Sequence, residues 1–113
     1  PDMERIMKMW SLFLNDILFP FQIAIKYDVC AVMPGYHMYK EIPVSLSEEL
    51  LNRILREKLG FKNMIVSDYG AIKQAWSVYG YTKNALETAS KALKSGVAVD
   101  LPKGEIYQTY LVM

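Results

Sequence analysis

Asp68 is the residue of this chain best placed to do chemistry. It follows Met64-Ile65-Val66, a short apolar run after Gly60 that reads as a fully buried strand. The carboxylate falls where that strand runs out, with Tyr69 directly after it. In parallel α/β barrels the C-terminal strand ends form the reactive face. A carboxylate fixed there can attack an electrophilic carbon and form a covalent intermediate. It can equally cap the next helix, because Asp is a preferred N-cap. On these residues alone, the cap is the better reading. Other chemistry is thinly represented. His37 is the one histidine and Cys30 the one cysteine, so neither a metal set nor a Cys–His nucleophile is suggested. Cys30, within Val29-Cys30-Ala31-Val32-Met33, suits a small buried hydrophobe.

The elements that must hold Asp68 follow from periodicity. A helix is expected over Met3–Met9, with Glu4, Arg5 and Lys8 facing water. A second is expected from about Leu12 to Lys26 with Ser11 as N-cap. Pro20 falls inside it and should kink it or start a new helix, since proline lacks the N–H and clashes with the preceding turn. Val29–Met33 reads as a strand and 34–43 as a long loop, with Tyr39, Lys40 and Glu41 solvated. Ser45 and Glu48 have capping-box spacing. The helix after them places Leu46, Leu50, Leu51, Ile54, Leu55 and Leu59 on one stripe. Glu49 and Arg53 are spaced for an ion pair, Arg56 and Lys58 suit the negative helix end, and Gly60 suits the left-handed terminus. After the Met64–Ser67 strand a short helix is expected over Ala71–Val78, broken by Gly80, with Trp76 in the core. A helix over Ala85–Lys94 should bury Ala85, Leu86, Ala89, Ala92 and Leu93, capped by Asn84 and ended by Gly96. Val97–Leu101 reads as the last strand. Helix alternating with strand is the repeat of a parallel α/β sheet.

Bulk properties bound the rest. The chain has 113 residues and a net charge of +1 from 13 basic and 12 acidic side chains, without a basic stripe, so nucleic acid is not expected as a partner. The apolar stretch Met9–Ile25 is interrupted by Asn15, Asp16, Pro20 and Gln22 and falls short of a clean span of ~20 residues. It reads as a buried amphipathic helix rather than a membrane segment. Hydrophobic residues make up 52% of the chain, enough that it would expose large patches standing alone.

From Phe19 to Pro102 the sequence resembles the barrel domain of glycoside hydrolase family 3, the β-glucosidase and β-xylosidase family. The similarity is carried, in the family's order, by Phe19-Pro20-Phe21 with Ala24-Ile25, by Val32-Met33-Pro34-Gly35-Tyr36, and by Ile42-Pro43 with Ser47, Leu50-Leu51, Ile54-Leu55-Arg56 and Gly60-Phe61. It continues in Val66-Ser67-Asp68-Tyr69, which is similar to the family's nucleophile motif, and closes in Ala92-Leu93, Ser95-Gly96-Val97 and Val99-Asp100. Each piece is weak alone; their joint order and spacing are specific.

The resemblance implies an α/β fold that is part of a (β/α)8 barrel, about its last three βα units with parallel strands. A whole barrel needs ~250 residues, so residues 1–113 are expected to be an internal piece of the N-terminal catalytic domain. It implies that Asp68 is the nucleophile of a retaining, exo-acting β-glycosidase, in which a carboxylate attacks the anomeric carbon and water later releases the sugar. Tyr69, where the family often has Trp, would border the leaving-group side with its aromatic face. Tyr36 would lie near the nucleophile and orient it, with Met33 at the same strand end. His37 stands where many members have Asn, and Lys62-Asn63 departs from a favoured Gly. Asp100 matches an acidic position that is more often structural. Trp76 could alternatively line an aglycone site. The substrate-gripping Asp, Arg and Lys-His pair would precede Pro1, and the acid/base would follow Met113. Glu41 and Glu105 match no catalytic position. The implied partners are a β-linked glucoside or xyloside oligosaccharide, the remainder of the barrel and a following domain; no metal or cofactor is implied.

Two other readings stay open. One is a truncated, non-catalytic remnant that at most binds sugar. The other is a small parallel α/β domain binding an unknown ligand at its strand ends. An upstream Lys-His and a downstream acid/base in the flanking coding sequence would separate the first reading from these. The isolated chain is expected to be poorly soluble and without appreciable turnover.

Overall fold

The computed structural model describes residues 3–110, apart from the side chains of Met7, Trp10 and Leu14. Helix α1, Met3–Leu12, runs without a break into a π-helical stretch, Phe13–Ile17. Ser11 therefore lies inside a helix and caps nothing. The interruption comes at Leu18, which is the N-cap of α2, Phe19–Lys26. Pro20 sits in the first turn of α2, where its missing N–H would have had no intrahelical partner. Of the two outcomes open to Pro20, the start of a second helix is the one adopted, and that helix is not buried as expected, with Phe19, Phe21 and Ile23 exposed.

Strand β1, Ala31–Val32, is followed by an antiparallel hairpin of β2, Met38–Tyr39, and β3, Ile42–Pro43. The expected loop is thus partly ordered. Lys40 and Glu41 turn it with φ of +51° and +67°. Tyr39 is not solvated: it is 2% exposed, packed with Leu50 and Ile54 and against the Phe13 ring. Lys40 pairs with Glu49 at 3.0 Å, so among the described residues Glu49 bridges to the hairpin and not to Arg53.

The helix Glu49–Lys58 is wound in π register and buries Leu50, Leu51, Ile54 and Leu55, as its apolar stripe requires. Its cap is displaced by two residues from the expected one. Ser45 is buried in a 3-10 turn, Val44–Leu46, and it is the Ser47 hydroxyl that accepts the Leu50 N–H at 3.1 Å. Gly60 closes the helix at φ +77°. Arg56 stacks over the Phe61 ring and donates to the Asn63 carbonyl at 3.0 Å. Asn63 in turn donates to the Val29 carbonyl at 2.9 Å and to Asp28 at 3.1 Å. The departure at Asn63 thereby fastens the start of one strand to the start of its neighbour.

Strand β4, Met64–Ile65, pairs in parallel with β1, Ala31 opposite Met64 and Val32 opposite Ile65. Val66 then bridges Val99, also in parallel. Three extended segments lie side by side in chain order, with β4 in the middle. Among the described residues, no strand pairs with the outer edge of β1 or of the 97–101 segment. Cys30, expected inside, is exposed just before that open β1 edge.

Helix α3, Ala71–Ser77, buries Ala71, Ile72 and Ala75 and leaves Trp76 partly exposed, outside the core. Helix α4, Ala85–Ser95, is capped by Asn84, which accepts the Glu87 N–H at 2.9 Å, and is ended by Gly96. Its buried face is Ala85, Thr88, Ala89, Ala92 and Ser95. Leu86 and Leu93 point outward, each one position past that stripe and so about 100° around the helix. The small residues allow close packing, and the Ser95 hydroxyl donates to the Ser45 carbonyl at 2.7 Å. Helix α5, Glu105–Tyr110, was not anticipated. Ile65, Ile72, Ala89 and Val97 lie at the centre of the main core. No helix of the described residues is long and apolar enough to cross a membrane.

Candidate active site

Asp68 is positioned by what precedes it. The Ser67 N–H donates to the Val99 carbonyl at 2.9 Å, and the fully buried Ser67 hydroxyl accepts the Leu101 N–H at 2.9 Å. These bonds pin the end of β4 to the neighbouring segment on both backbone and side chain. Asp68 emerges next, half-buried. Its Oδ1 accepts the Tyr69 N–H at 2.7 Å, and its carbonyl accepts the Ala71 N–H at 3.1 Å. Gly70, in the left-handed region at φ +69°, turns the chain into α3 and serves as its N-cap without any side-chain bond. The Asp68 carboxylate therefore holds its own neighbour's amide and caps no helix.

Tyr36 reaches this carboxylate from the loop after β1. Its hydroxyl donates to the Tyr69 carbonyl at 2.5 Å. The phenol is held above its ordinary ionisation range, first by desolvation, then by its hydrogen bond to Asp68 and the Asp68 charge, and last by Tyr79. Tyr36 is 41% exposed and Tyr69 63% exposed, so both rings border an open face. Tyr36, Asp68 and Tyr69 are thus brought together. Met33 is not linked to them by any such bond. It lines an apolar groove of about 380 Å³ with Phe13, Leu18, Phe21 and His37, a cavity whose walls include neither Asp68 nor Tyr36.

The remaining sequence candidates have other employment. Asp100 is 7% exposed, and its Oδ2 accepts the N–H groups of Ile106 at 2.8 Å and Tyr107 at 3.1 Å, at the start of α5. It is structural, as expected. Glu105 pairs with Lys73 at 3.3 Å on the surface, and Glu41 sits in the β2–β3 turn. Among the described residues no group of three or more His, Cys, Asp or Glu is arranged to hold a metal ion. One residue that sequence reasoning missed is Tyr79, whose hydroxyl donates to the Tyr36 carbonyl at 3.1 Å. It lies in Val78-Tyr79-Gly80-Tyr81, beyond α3, and no periodicity or spacing singles it out.

The parallel α/β fold has counterparts among known proteins. Residues 7–112 match the glycosyl hydrolase family 3 N-terminal domain, and the chain belongs to that family. A β-xylosidase of Formosa agariphila is 37% identical over 87 residues, covering 76% of this chain and 12% of the relative. A periplasmic β-glucosidase of Salmonella typhimurium is 32% identical over 97 residues, covering 86% of this chain and 12% of the relative. Among solved structures, a β-glucosidase involved in saponin metabolism from intestinal bacteria superposes with a TM-score of 0.77 at 21% identity, over 84% of this chain and 12% of that one. That likeness is one of fold. The chain therefore spans about an eighth of the length of these relatives.

Proposed function

We propose that this chain is the nucleophile-bearing part of the (β/α)8 barrel of a retaining, exo-acting β-glycosidase, and that Asp68 is the nucleophile. The observation that carries this reading is the joining of Asp68, which follows β4, to Tyr36, which follows the parallel neighbour β1, through Tyr69: Asp68 holds the Tyr69 amide and the Tyr36 phenol donates to the Tyr69 carbonyl. Strand-end loops are where barrel enzymes assemble their sites. The unpaired outer edges of the three-segment sheet favour further strands on both sides. Relatives named β-xylosidase and β-glucosidase support a β-linked xyloside or glucoside as substrate, while others are named β-hexosaminidase.

In this reading the Asp68 carboxylate attacks the anomeric carbon, and the bond from that carbon to the glycosidic oxygen breaks. A separate carboxylic acid protonates the departing oxygen, and the same group later removes a proton from the water that frees the sugar. The two carboxyl groups of such enzymes stand about 5–5.5 Å apart. The acid/base and the groups that grip the sugar come from the rest of the barrel and a following domain. Asp68 attacks as the anion, with Oδ1 fixed by the Tyr69 amide. Tyr36 orients the carboxylate and Tyr69 offers its ring to the leaving-group side, whereas Met33, which lines the separate groove, has no part in this arrangement. The 113-residue chain alone is inactive in this reading, in which the acid/base and the sugar-gripping groups come from other parts of the enzyme.

Asp68→Ala in the intact glycosidase tests this. Turnover of a chromogenic β-glucoside or β-xyloside should fall by several orders of magnitude, and azide should restore part of it by filling the gap left by the carboxylate. Near-normal turnover without azide would remove Asp68 from the mechanism.

A further inference from the structure

We propose that Tyr79 is a positioning residue for the Asp68 nucleophile, acting by fixing the Tyr36 backbone; the inference rests on the function proposed above. Tyr36 is gripped at two points by residues flanking α3. Its phenol donates to the carbonyl of Tyr69, just before the helix, at 2.5 Å. Its carbonyl accepts from the hydroxyl of Tyr79, just after the helix, at 3.1 Å. The three residues and α3 close a ring that joins the β1 loop to the unit carrying Asp68.

The ring transmits position because its other members are stiff. Helix α3 buries Ala71, Ile72 and Ala75. Tyr79 is itself held by its N–H, which donates to the Gln74 carbonyl at 2.9 Å. Gly70, on the near side, is anchored by its N–H to the Leu101 carbonyl at 2.9 Å. The Tyr36 loop is therefore the adjustable member, and the Tyr79 hydroxyl determines where it rests.

The consequence for chemistry lies in the single proton of the Tyr36 phenol. It is donated to the Tyr69 carbonyl, whose residue holds Asp68 Oδ1 through its amide, and the Asp68 carboxylate also raises the phenol's pKa. Hydrogen bonds weaken steeply with distance and angle. A small displacement of Tyr36 thus changes how far the phenol stabilises the carboxylate and which way the carboxylate faces. Asp68 Oδ1 is already committed to the Tyr69 amide, so the Tyr36 contact is the variable one.

The test uses the intact glycosidase with Tyr79→Phe, Tyr79→Ala, Tyr36→Phe and the Tyr36→Phe/Tyr79→Phe double variant. Tyr79→Phe keeps the ring and removes the hydroxyl. It should lower kcat by roughly 2- to 10-fold, the range one neutral hydrogen bond spans, with KM little changed. Covalent labelling of Asp68 by a mechanism-based fluoro-sugar should slow by the same factor. In the Tyr36→Phe background the second substitution should have no further effect on kcat, because the phenol through which Tyr79 acts is gone. Losses that multiply in the double variant would overturn the proposal. So would a Tyr79→Phe enzyme that labels Asp68 at the unaltered rate, or a loss confined to Tyr79→Ala, which would assign Tyr79 to packing. Label on a different carboxylate would instead overturn the function itself, so the two failures are distinguishable.

Discussion

The Tyr36 hydroxyl stands 2.5 Å from the Tyr69 carbonyl oxygen, across 33 residues of chain, while the Tyr69 amide is held by Asp68 Oδ1. Desolvation is the largest cause of the raised Tyr36 ionisation, and Asp68 follows. Asp68→Asn should therefore lower the Tyr36 pKa part of the way toward its ordinary value of 10.0, leaving the desolvation component. Titration of tyrosine Cζ resonances in a labelled sample reads this directly. An unmoved Tyr36 would show that the two groups do not communicate.

Tyr107 sets a second pH dependence. Its hydroxyl donates to the Val97 carbonyl at 2.6 Å, and burial first, then the Asp100 charge, push its pKa upward from 10.0. A folded-state pKa above the unfolded one means that its contribution is fully present below pH 10 and is lost as pH rises toward the folded value. Thermal melts should show stability falling above pH 10. Tyr107→Phe should flatten that alkaline decline, though it lowers stability at neutral pH. An alkaline limb of the same steepness in the variant would exclude Tyr107 as its source.

Ser67→Ala should destabilise by about 0.5–1.5 kcal/mol, the net contribution of one part-buried hydrogen bond. The Leu101 N–H would lose the hydroxyl that accepts it at 2.9 Å. Because the same bond registers the residue before Asp68, activity of the intact enzyme should fall too. Chemical denaturation and kcat measured on the one variant check both. Unchanged stability would mean that water or backbone replaces the hydroxyl.

Asp100→Ala should cost about 0.5–2 kcal/mol through the loss of a helix cap. Both the Ile106 and Tyr107 amides depend on its Oδ2. Asp100→Asn retains an acceptor and should cost less. A larger loss for Asn than for Ala by denaturant titration would show that charge, not capping, is the contribution of Asp100.

How far the sequence was legible depended on whether a feature is local. Gly60, Asn84 and Gly96 marked helix ends correctly, because caps and left-handed termini are decided within a few residues. The helix stripe Leu50, Leu51, Ile54 and Leu55 was legible for the same reason, although Leu46, expected on it, is buried from the preceding turn. Errors arose where a distant partner decides. Tyr39 reads as a loop residue, yet the π-helical Glu49–Lys58 segment and Phe13 bury it. Glu49 had a good helical partner in Arg53 and took Lys40 from the hairpin. Leu86 and Leu93 belong by type to the core, but α4 packs through alanines and Ser95 against the turn holding Ser45. At the site, Asp68 was marked by its strand end and Tyr36 by the family pattern. Tyr79 carried no local signal, since the carbonyl it donates to lies 43 residues away.

The most direct measurement is to trap the glycosyl-enzyme. A mechanism-based fluoro-sugar that accumulates the covalent intermediate is incubated with the intact glycosidase, which is then digested and its peptides sequenced by mass spectrometry. The label is expected on Asp68, within Val66-Ser67-Asp68-Tyr69, and should be absent from the Asp68→Ala variant. Label on any other carboxylate would contradict the assignment and leave Asp68 with only the Tyr69 amide to hold.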